Sequence, residues 1–217
     1  MTMTRPPAVA GAFYPGNPSI LTATVDRLLA ETPATNSEQP KALIVPHAGY
    51  IYSGSTAAMA YATLAPWRST IRRVILLGPT HRVAVDGIAL PKTTAFATPL
   101  GSIPIDTEAV AQLTELPQIV ASDRVHADEH SLEVHLPFLQ RILDDFTLVP
   151  LAVGHATPDE VAEVLDRLWG GPETLIVISS DLSHFLPYAA ANQVDRDTCA
   201  HILQLDARIR PEQACGA

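Results

Sequence analysis

Three histidines of this sequence each come shortly after an apolar run. His47 follows the run in ALIVPHAGY, His81 follows the run in RVILLGPTHR, and His184 comes near the end of TLIVISSDLSHF. Neutral imidazole binds Zn, Cu, Fe and Ni, and the same side chain can act as a general acid or base. The repeated pattern therefore indicates one site that several strand ends build together.

His47 and His81 are candidates for two ligands of a metal ion, since each is flanked by turn residues at the end of a predicted strand. A pair of hydrogen-bonding loop histidines would give the same pattern. From the spacing alone, both interpretations stand.

Asp181 and His184 lie three residues apart in SSDLSH. If a helical turn begins after the strand, this spacing places both side chains on one face. The carboxylate can then orient the imidazole and raise its basicity, which suits His184 to acid/base catalysis. The alternative is a helix-capping aspartate beside a surface histidine.

The segment DEHSLEVHLPFLQRIL, residues 128–143, carries two further histidines, His130 and His135. It is not the zinc motif H-E-x-x-H, because its histidines are five residues apart and the acid precedes the first one. We expect a helix from Ser131 whose leucines face the core. His135 then lies near the apolar stripe as a structural residue, whereas His130 lies at the start of the helix and faces the pocket.

Short runs rich in β-branched residues and leucine alternate with helical patterns along the chain. The predicted strands are Ala42–Val45, Arg73–Leu77, Thr147–Val153 and Thr174–Ser179. One helical face begins at Leu21 after a cap at Asn17 or Ser19, and a second helix begins after a cap at Thr157. This alternation predicts an α/β fold with a mostly parallel central sheet and helices on both faces. In such sheets ligands bind outside the carboxyl ends of the strands, where the candidate residues lie.

The composition excludes several classes of protein. A chain of 217 residues with 47% hydrophobic and 17% charged residues can bury a sizeable core. Its formal net charge of −9 disfavours nucleic acid as a partner, and neither a Walker pattern nor G-x-G-x-x-G supports nucleotide binding. Two cysteines make no disulfide framework, and no signal peptide or membrane span is evident. We therefore expect a cytoplasmic protein.

Six stretches of the sequence, taken together and in this order, resemble the Memo family. They are VAGAFYP, PHAGYIYSG, LLGPTH, DEHSLEVHLPFLQ, SSDLSHF and ACG, and they cover nearly the whole chain. In bacteria and archaea, members of this family are usually named the B component of the AmmeMemoRadiSam system. The resemblance therefore implies a radical SAM protein and an AMMECR-type protein as partners.

The resemblance implies a fold similar to that of the class III extradiol dioxygenases, which hold iron with two histidines and a carboxylate. His47 and His81 match the histidine ligands, and Cys215 takes the third position. Asp181 and His184 match the pocket residues opposite the metal. Because thiolate is softer than carboxylate, the implied cofactor is iron or copper, with zinc also compatible.

The motifs and the resemblance together predict a non-haem, metal-dependent redox enzyme, similar to an oxidase or dioxygenase, that acts on an unknown small substrate. Its catalytic residues would be His184, Asp181 and His130. One alternative is a non-catalytic module that binds a peptide or a radical SAM partner, and another is a zinc-dependent hydrolase. The resemblance also implies a single domain over residues 1–217 that lacks the family's C-terminal segment. We expect Cys199, in the helical stretch DRDTCAHILQL, to have a buried or half-buried and inert thiol.

Overall fold

A six-stranded sheet forms the centre of the protein in the computed structural model, which describes residues 3–33, 38–210 and 212–215. The strands are β1 Thr4–Arg5, β2 Ala42–Val45, β3 Arg73–Pro79, β4 Ile88–Leu90, β5 Ala95–Thr98, β6 Gly101–Pro104, β7 Ile119–Ala121, β8 Thr147–Val153 and β9 Thr174–Ser179. The α-helices are α1 Pro18–Ala30, α2 Tyr50–Ala62, α3 Thr107–Ala111, α4 Asp123–Ala127, α5 Leu136–Ile142, α6 Pro158–Leu168 and α7 Tyr188–Leu203. Two short 3-10 helices span Ala65–Trp67 and Glu133–His135.

The central sheet has the strand order β2-β9-β3-β8-β4-β7, and a separate three-stranded sheet has the order β1-β5-β6. Strands β2, β9, β3 and β8 are parallel, and only the pair β4 and β8 is antiparallel in the central sheet. The register pairs Val45 with Ser179 and Leu77 with Ile178. The carboxyl ends of β2, β9 and β3 are therefore neighbours at one edge, as the sequence predicts.

Helices cover both faces of this sheet and confirm the α/β class. One apolar cluster includes buried residues of α1, α2 and α5 against the sheet, and a second includes Ala109 of α3 and Val164 and Leu168 of α6. Strand β3 is buried along most of its length because it has helices on both faces. In the part of the chain that the structure describes, no helix combines the length and apolar character needed to cross a membrane.

The predicted helix caps are confirmed. Asn17 caps α1 by accepting from the amides of Ser19 and Ile20. Thr157 and Glu160 form a reciprocal capping box at the start of α6. The stretch ETPATNSEQP, residues 31–40, has the composition of a surface loop; its residues 34–37 lie outside the described part, and the others are in neither helix nor strand.

One local prediction is wrong, and one condition set in the sequence analysis is not met. The helix expected from Ser131 starts later, since a 3-10 turn spans Glu133–His135 and α5 begins at Leu136. The leucines expected on its core side, Leu132, Leu136, Leu139 and Leu143, are nevertheless buried. The described segment that carries Asp181 and His184 has no regular structure before α7, so the helical turn that would place both side chains on one face does not form. In both places, hydrogen bonds to distant residues replace the local helical ones.

The N-terminal segment is held by a buried carboxylate. Glu133 is fully buried and accepts from the Arg5 guanidinium at 2.5 Å, from the Tyr14 hydroxyl at 2.5 Å, and from the backbone amides of Ala8 and Val9. Arg5 is itself buried and donates to the carbonyl oxygens of His126 and Glu129. This network ties the N-terminus to the turn that carries His130.

Candidate metal centre

Three histidines meet at the carboxyl edge of the sheet. His47 lies two residues after β2, His81 lies two residues after β3, and His130 comes from the loop that follows α4. One ring nitrogen of each lies within 4.8 Å of the other two. The ring centroids of His81 and His130 are 4.5 Å apart, and that of His47 is 5.1 Å from that of His81. This three-histidine cluster could bind a metal ion.

His47 is the most buried member, with 1% of its surface exposed. Its Nδ1 atom lies 2.7 Å from the hydroxyl of Ser179, the last residue of β9. Burial lowers the pKa of His47 to about 4, although the nearby Asp181 carboxylate opposes the shift. The ring is therefore neutral near pH 7, which is the form that binds a metal.

His81 lies between a carboxylate and a thiol. Its Nδ1 atom is 2.8 Å from Oε1 of Glu129, and its Nε2 atom is 3.1 Å from the sulfur of Cys215. These two hydrogen bonds, that of Cys215 first and that of Glu129 second, raise the pKa of His81 to about 10. Cys215 thus joins the cluster through His81, on the side of Nε2.

His130 packs on the aromatic ring of Phe13 with a centroid separation of 4.7 Å. Among the described residues, its Nδ1 atom is a buried nitrogen without a hydrogen-bond partner, which is unusual for a buried polar atom. The sequence placed His130 in the pocket as a catalytic residue. The geometry groups it with His47 and His81, where it could serve as a third ligand of a metal ion.

Glu129 belongs to the candidate site, although the sequence analysis did not select it. Its carboxylate is 1% exposed and accepts from the backbone amides of His81, His130 and Ser131 as well as from the His81 ring. Burial by itself raises the pKa of Glu129, but the hydrogen bonds from His81 and Ser131 outweigh it and bring the pKa to about 2. In the sequence, only its position directly before His130 indicates that Glu129 lies near the site.

The turn at residues 129–132 approaches β3 closely because residue 78 is glycine. A Cβ atom at Gly78 would lie 2.8 Å from Cδ2 of Leu132, 2.9 Å from Oγ of Ser131 and 3.1 Å from Cβ of Ser179. Any side chain there would displace the turn from the strand ends that it contacts. The hydroxyl of Ser131 donates to the Pro79 carbonyl at 2.8 Å and completes the contact.

Asp181 lies between the histidine cluster and His184. Its Oδ1 atom accepts from the His47 amide at 2.7 Å, and its Oδ2 atom is 3.7 Å from Nε2 of His47 and 3.8 Å from Nε2 of His184. The last two separations exceed a hydrogen bond. The structure thus brings the predicted pair together without a direct hydrogen bond between them.

A cavity of about 420 Å³ is lined by Cys215 and His184, together with Leu186, Val194 and Arg210, and by none of the three clustered histidines. The Cys215 segment is held at this edge, since its amide donates to the Asp181 carbonyl at 2.8 Å. The volume falls in the range of sites for small ligands. A molecule in this cavity would contact both the thiol and the His184 imidazole.

The remaining predicted residues lie elsewhere. His135 is fully buried and its Nδ1 atom is 2.9 Å from the Tyr61 hydroxyl, in keeping with a structural role. His126 is also buried, with Nε2 at 2.9 Å from the Ala89 carbonyl. Cys199 lies in α7, as predicted, but the expectation of a buried or half-buried thiol is wrong because this face of α7 is exposed.

A mostly parallel α/β sheet with clustered imidazoles at its carboxyl edge defines a class of candidate metalloproteins. Comparison with known proteins narrows the class. The family model described as "Memo-like protein" matches residues 5–213, and the chain belongs to the Memo family.

Several curated relatives are described as MEMO1 family proteins. The relative from Archaeoglobus fulgidus is 36% identical over 213 residues, covering 94% of this chain and 77% of its own length. The relative from Aquifex aeolicus is 39% identical over 196 residues, covering 88% and 71%. The relative from Methanopyrus kandleri is 37% identical over 226 residues, covering 94% and 77%.

Proposed function

We propose that this protein is a metal-dependent redox enzyme that acts on a small substrate, with iron or copper held by His47, His81 and His130 or by the first two with Cys215. The observation that carries the proposal is the set of three imidazole nitrogens within 4.8 Å of one another, with a thiol 3.1 Å from Nε2 of His81. Mixed imidazole and sulfur donors suit copper and iron as well as zinc.

The residues around the cluster fit a bound metal. His47 is neutral because it is buried, and Glu129 contacts Nδ1 of His81. The buried Nδ1 atom of His130 makes no hydrogen bond among the described residues, although it lies 3.4 Å from Oε1 of Glu129. An ion bound here would supply a redox centre beside the cavity. A carboxylate behind a ligand histidine is a common outer partner of protein metal sites.

The residues around the cavity support the proposal in three ways. A substrate that fills it lies against His184, whose imidazole is 44% exposed and can transfer a proton to it. Asp181 holds the His47 backbone in place through the hydrogen bond from the His47 amide, and its Oδ2 atom lies 3.8 Å from Nε2 of His184. The hydrogen bond from the Cys215 amide to Asp181 keeps the cavity wall next to the cluster.

Metal analysis tests the proposal. Protein purified without a histidine tag is reconstituted with Fe(II), Cu(I) or Zn(II) under reducing conditions, and the bound metal is measured after dialysis. We expect about one equivalent of iron or copper and metal-dependent oxygen consumption with a reductant. Failure to retain any metal would exclude the enzyme and favour a binding module.

A zinc-dependent hydrolase is the second candidate, and the three-histidine cluster itself favours it. Three histidines with one open position are a frequent set of ligands for catalytic zinc, which activates water without a redox change. Preferential retention of zinc, with no oxygen consumption by the iron or copper forms, would support this candidate over the first.

A further inference from the structure

Two buried polar side chains outside the histidine cluster, Glu129 and Ser179, each contact the Nδ1 atom of one clustered histidine. Glu129 contacts His81 at 2.8 Å, and Ser179 contacts His47 at 2.7 Å. Both are buried, with 1% and 3% of their surface exposed. A contact at Nδ1 determines which ring nitrogen carries the proton and which carries the lone pair.

The hydrogen bonds of Ser179 leave one arrangement for His47. The Ser179 hydroxyl lies 2.6 Å from the Ser131 carbonyl oxygen, which can only accept, so its single hydrogen is used there. The oxygen of Ser179 must then accept from Nδ1–H of His47. His47 therefore carries its proton on Nδ1 and its lone pair on Nε2.

Glu129 determines the same choice for His81. An ionised carboxylate can only accept, so the Nδ1 atom of His81 must carry a hydrogen. The carboxylate also holds the His81 amide at 2.5 Å and the His130 amide at 3.0 Å. One side chain therefore orients both the ring of His81 and the backbone of two histidines.

We infer that Glu129 and Ser179 are positioning residues that fix a proton on Nδ1 of His81 and His47, so that Nε2 is the metal-binding atom of each ring. On His81, a bound metal would replace the hydrogen bond between Nε2 and Cys215. The short turn Glu129-His130-Ser131 contacts or supplies all three proposed ligands. It supplies His130, and its Glu129 orients His81. Its Ser131 carbonyl accepts from Ser179, which in turn orients His47. The expected consequence of this positioning is tighter metal binding, and that consequence rests on the proposed function.

A purely structural role would make different predictions. If Ser179 only satisfied the Ser131 carbonyl, its removal would lower stability but leave the His47 tautomer unchanged. If Ser179 positions His47, its removal frees Nδ1 and mixes the two tautomers. The tautomer is therefore the measurement that separates the two roles.

The experiment combines nitrogen NMR with metal titration. Long-range ¹H–¹⁵N spectra of the metal-free protein at neutral pH report which nitrogen of each histidine carries the proton, and the His47→Ala spectrum assigns the His47 signals. We expect Nδ1–H for His47 in the wild type and a mixture of tautomers in Ser179→Ala. We also expect Ser179→Ala and Glu129→Gln each to weaken metal binding by about 10- to 100-fold.

Ser53→Ala is the matched control, because its hydroxyl also donates to a carbonyl, that of Ala48, at 3.0 Å but contacts no clustered histidine. It should keep the wild-type tautomer and affinity. Wild-type His47 with its proton on Nε2 would overturn the inference even if Ser179→Ala failed to fold. Unchanged tautomer and affinity in folded Ser179→Ala would overturn it too. A wild type that binds no metal contradicts the proposed function, whereas the tautomer measurement still tests the inference.

Discussion

The Nε2 atom of His81 lies 3.1 Å from the sulfur of Cys215, so the thiol occupies the side of His81 on which the proposed metal would bind. We expect bound metal to slow alkylation of Cys215, since a coordinated thiolate is unavailable as a nucleophile. Mass spectrometry of the labelled protein with and without metal measures this protection.

Cys199 is the internal control for that measurement, because its exposed thiol should be labelled at the same rate in both samples. Equal labelling of Cys215 with and without a stoichiometric metal would remove Cys215 from the ligand set. The three histidines would then be the only ligands of the proposal.

Replacement of His47 by alanine should weaken metal binding by more than the roughly 10- to 100-fold effect of losing an outer partner. His47 is the most deeply buried of the three histidines, and an alanine side chain supplies no donor atom in its place. Titration of the metal against a competing chelator gives the affinity. His155→Ala, at an exposed position outside the cluster, should bind as the wild type does; equal affinities for both variants would contradict a ligand role for His47.

The replacement of Gly78 by alanine should destabilise the protein and weaken metal binding together. The new methyl group would approach Leu132, Ser131 and Ser179 at 2.8, 2.9 and 3.1 Å and push the turn at residues 129–132 away from the strand ends. Thermal unfolding and the chelator titration measure the two effects. In Gly49→Ala the nearest atom is 3.4 Å away, an ordinary contact, so that variant should be milder.

Acidification should destabilise the protein partly through His126. Burial lowers its pKa to about 4, whereas an unfolded histidine titrates near 6.5. Between these two pKa values the unfolded state binds a proton that the folded state does not, so the free energy of unfolding falls as the pH falls. Over the whole range from above 6.5 to below 4, the loss is about 3 kcal/mol.

The variant His126→Gln keeps a donor for the Ala89 carbonyl and cannot titrate. Urea unfolding at about pH 7 and about pH 4.5 should show a smaller pH difference in this variant than in the wild type. The exposed His155→Gln should keep the wild-type difference. An identical difference in all three proteins would show that His126 does not contribute.

Glu133→Gln should lower the free energy of unfolding by about 3 kcal/mol, because it leaves the buried Arg5 guanidinium without its counter-charge. Chemical denaturation measures the change. Glu31→Gln breaks an ion pair in which both side chains are 59% exposed, and it should cost less than about 1 kcal/mol. A loss for Glu133→Gln as small as that of the control would mean that the buried pair adds little stability.

Much of the fold could be predicted from the sequence, because buried parallel strands leave continuous apolar runs. The bounds of β2, β8 and β9 match those runs, and β3 extends only to Pro79 beyond its predicted end. In a parallel sheet, the residues that directly follow neighbouring strands lie together at one edge. His47 and His81 could therefore be selected as candidate site residues from the sequence.

The supporting residues could not be predicted, because their environment depends on the tertiary structure. Nothing in the sequence shows that Glu129 is buried or that the hydroxyl of Ser179 faces His47. Tertiary contacts also explain why the helix does not start at Ser131. The Ser131 amide donates to the Glu129 carboxylate and its hydroxyl donates to the Pro79 carbonyl, so neither group supports a helical turn. Local propensity is overridden where the site requires a particular backbone.

The hydrogen bonds of the site join residues that are far apart along the chain. Those of His81 span 48 residues to Glu129 and 134 to Cys215, and that of His47 spans 132 residues to Ser179. Contacts of such long sequence separation require the closure of long loops, and they cannot form before the later partner has been synthesised. During synthesis, the emerging chain therefore exposes His47 and His81 long before their partners exist. Only a chain extended through β9 can hold His47 against Ser179, so the proposed metal would bind after the sheet has formed and would not guide its folding.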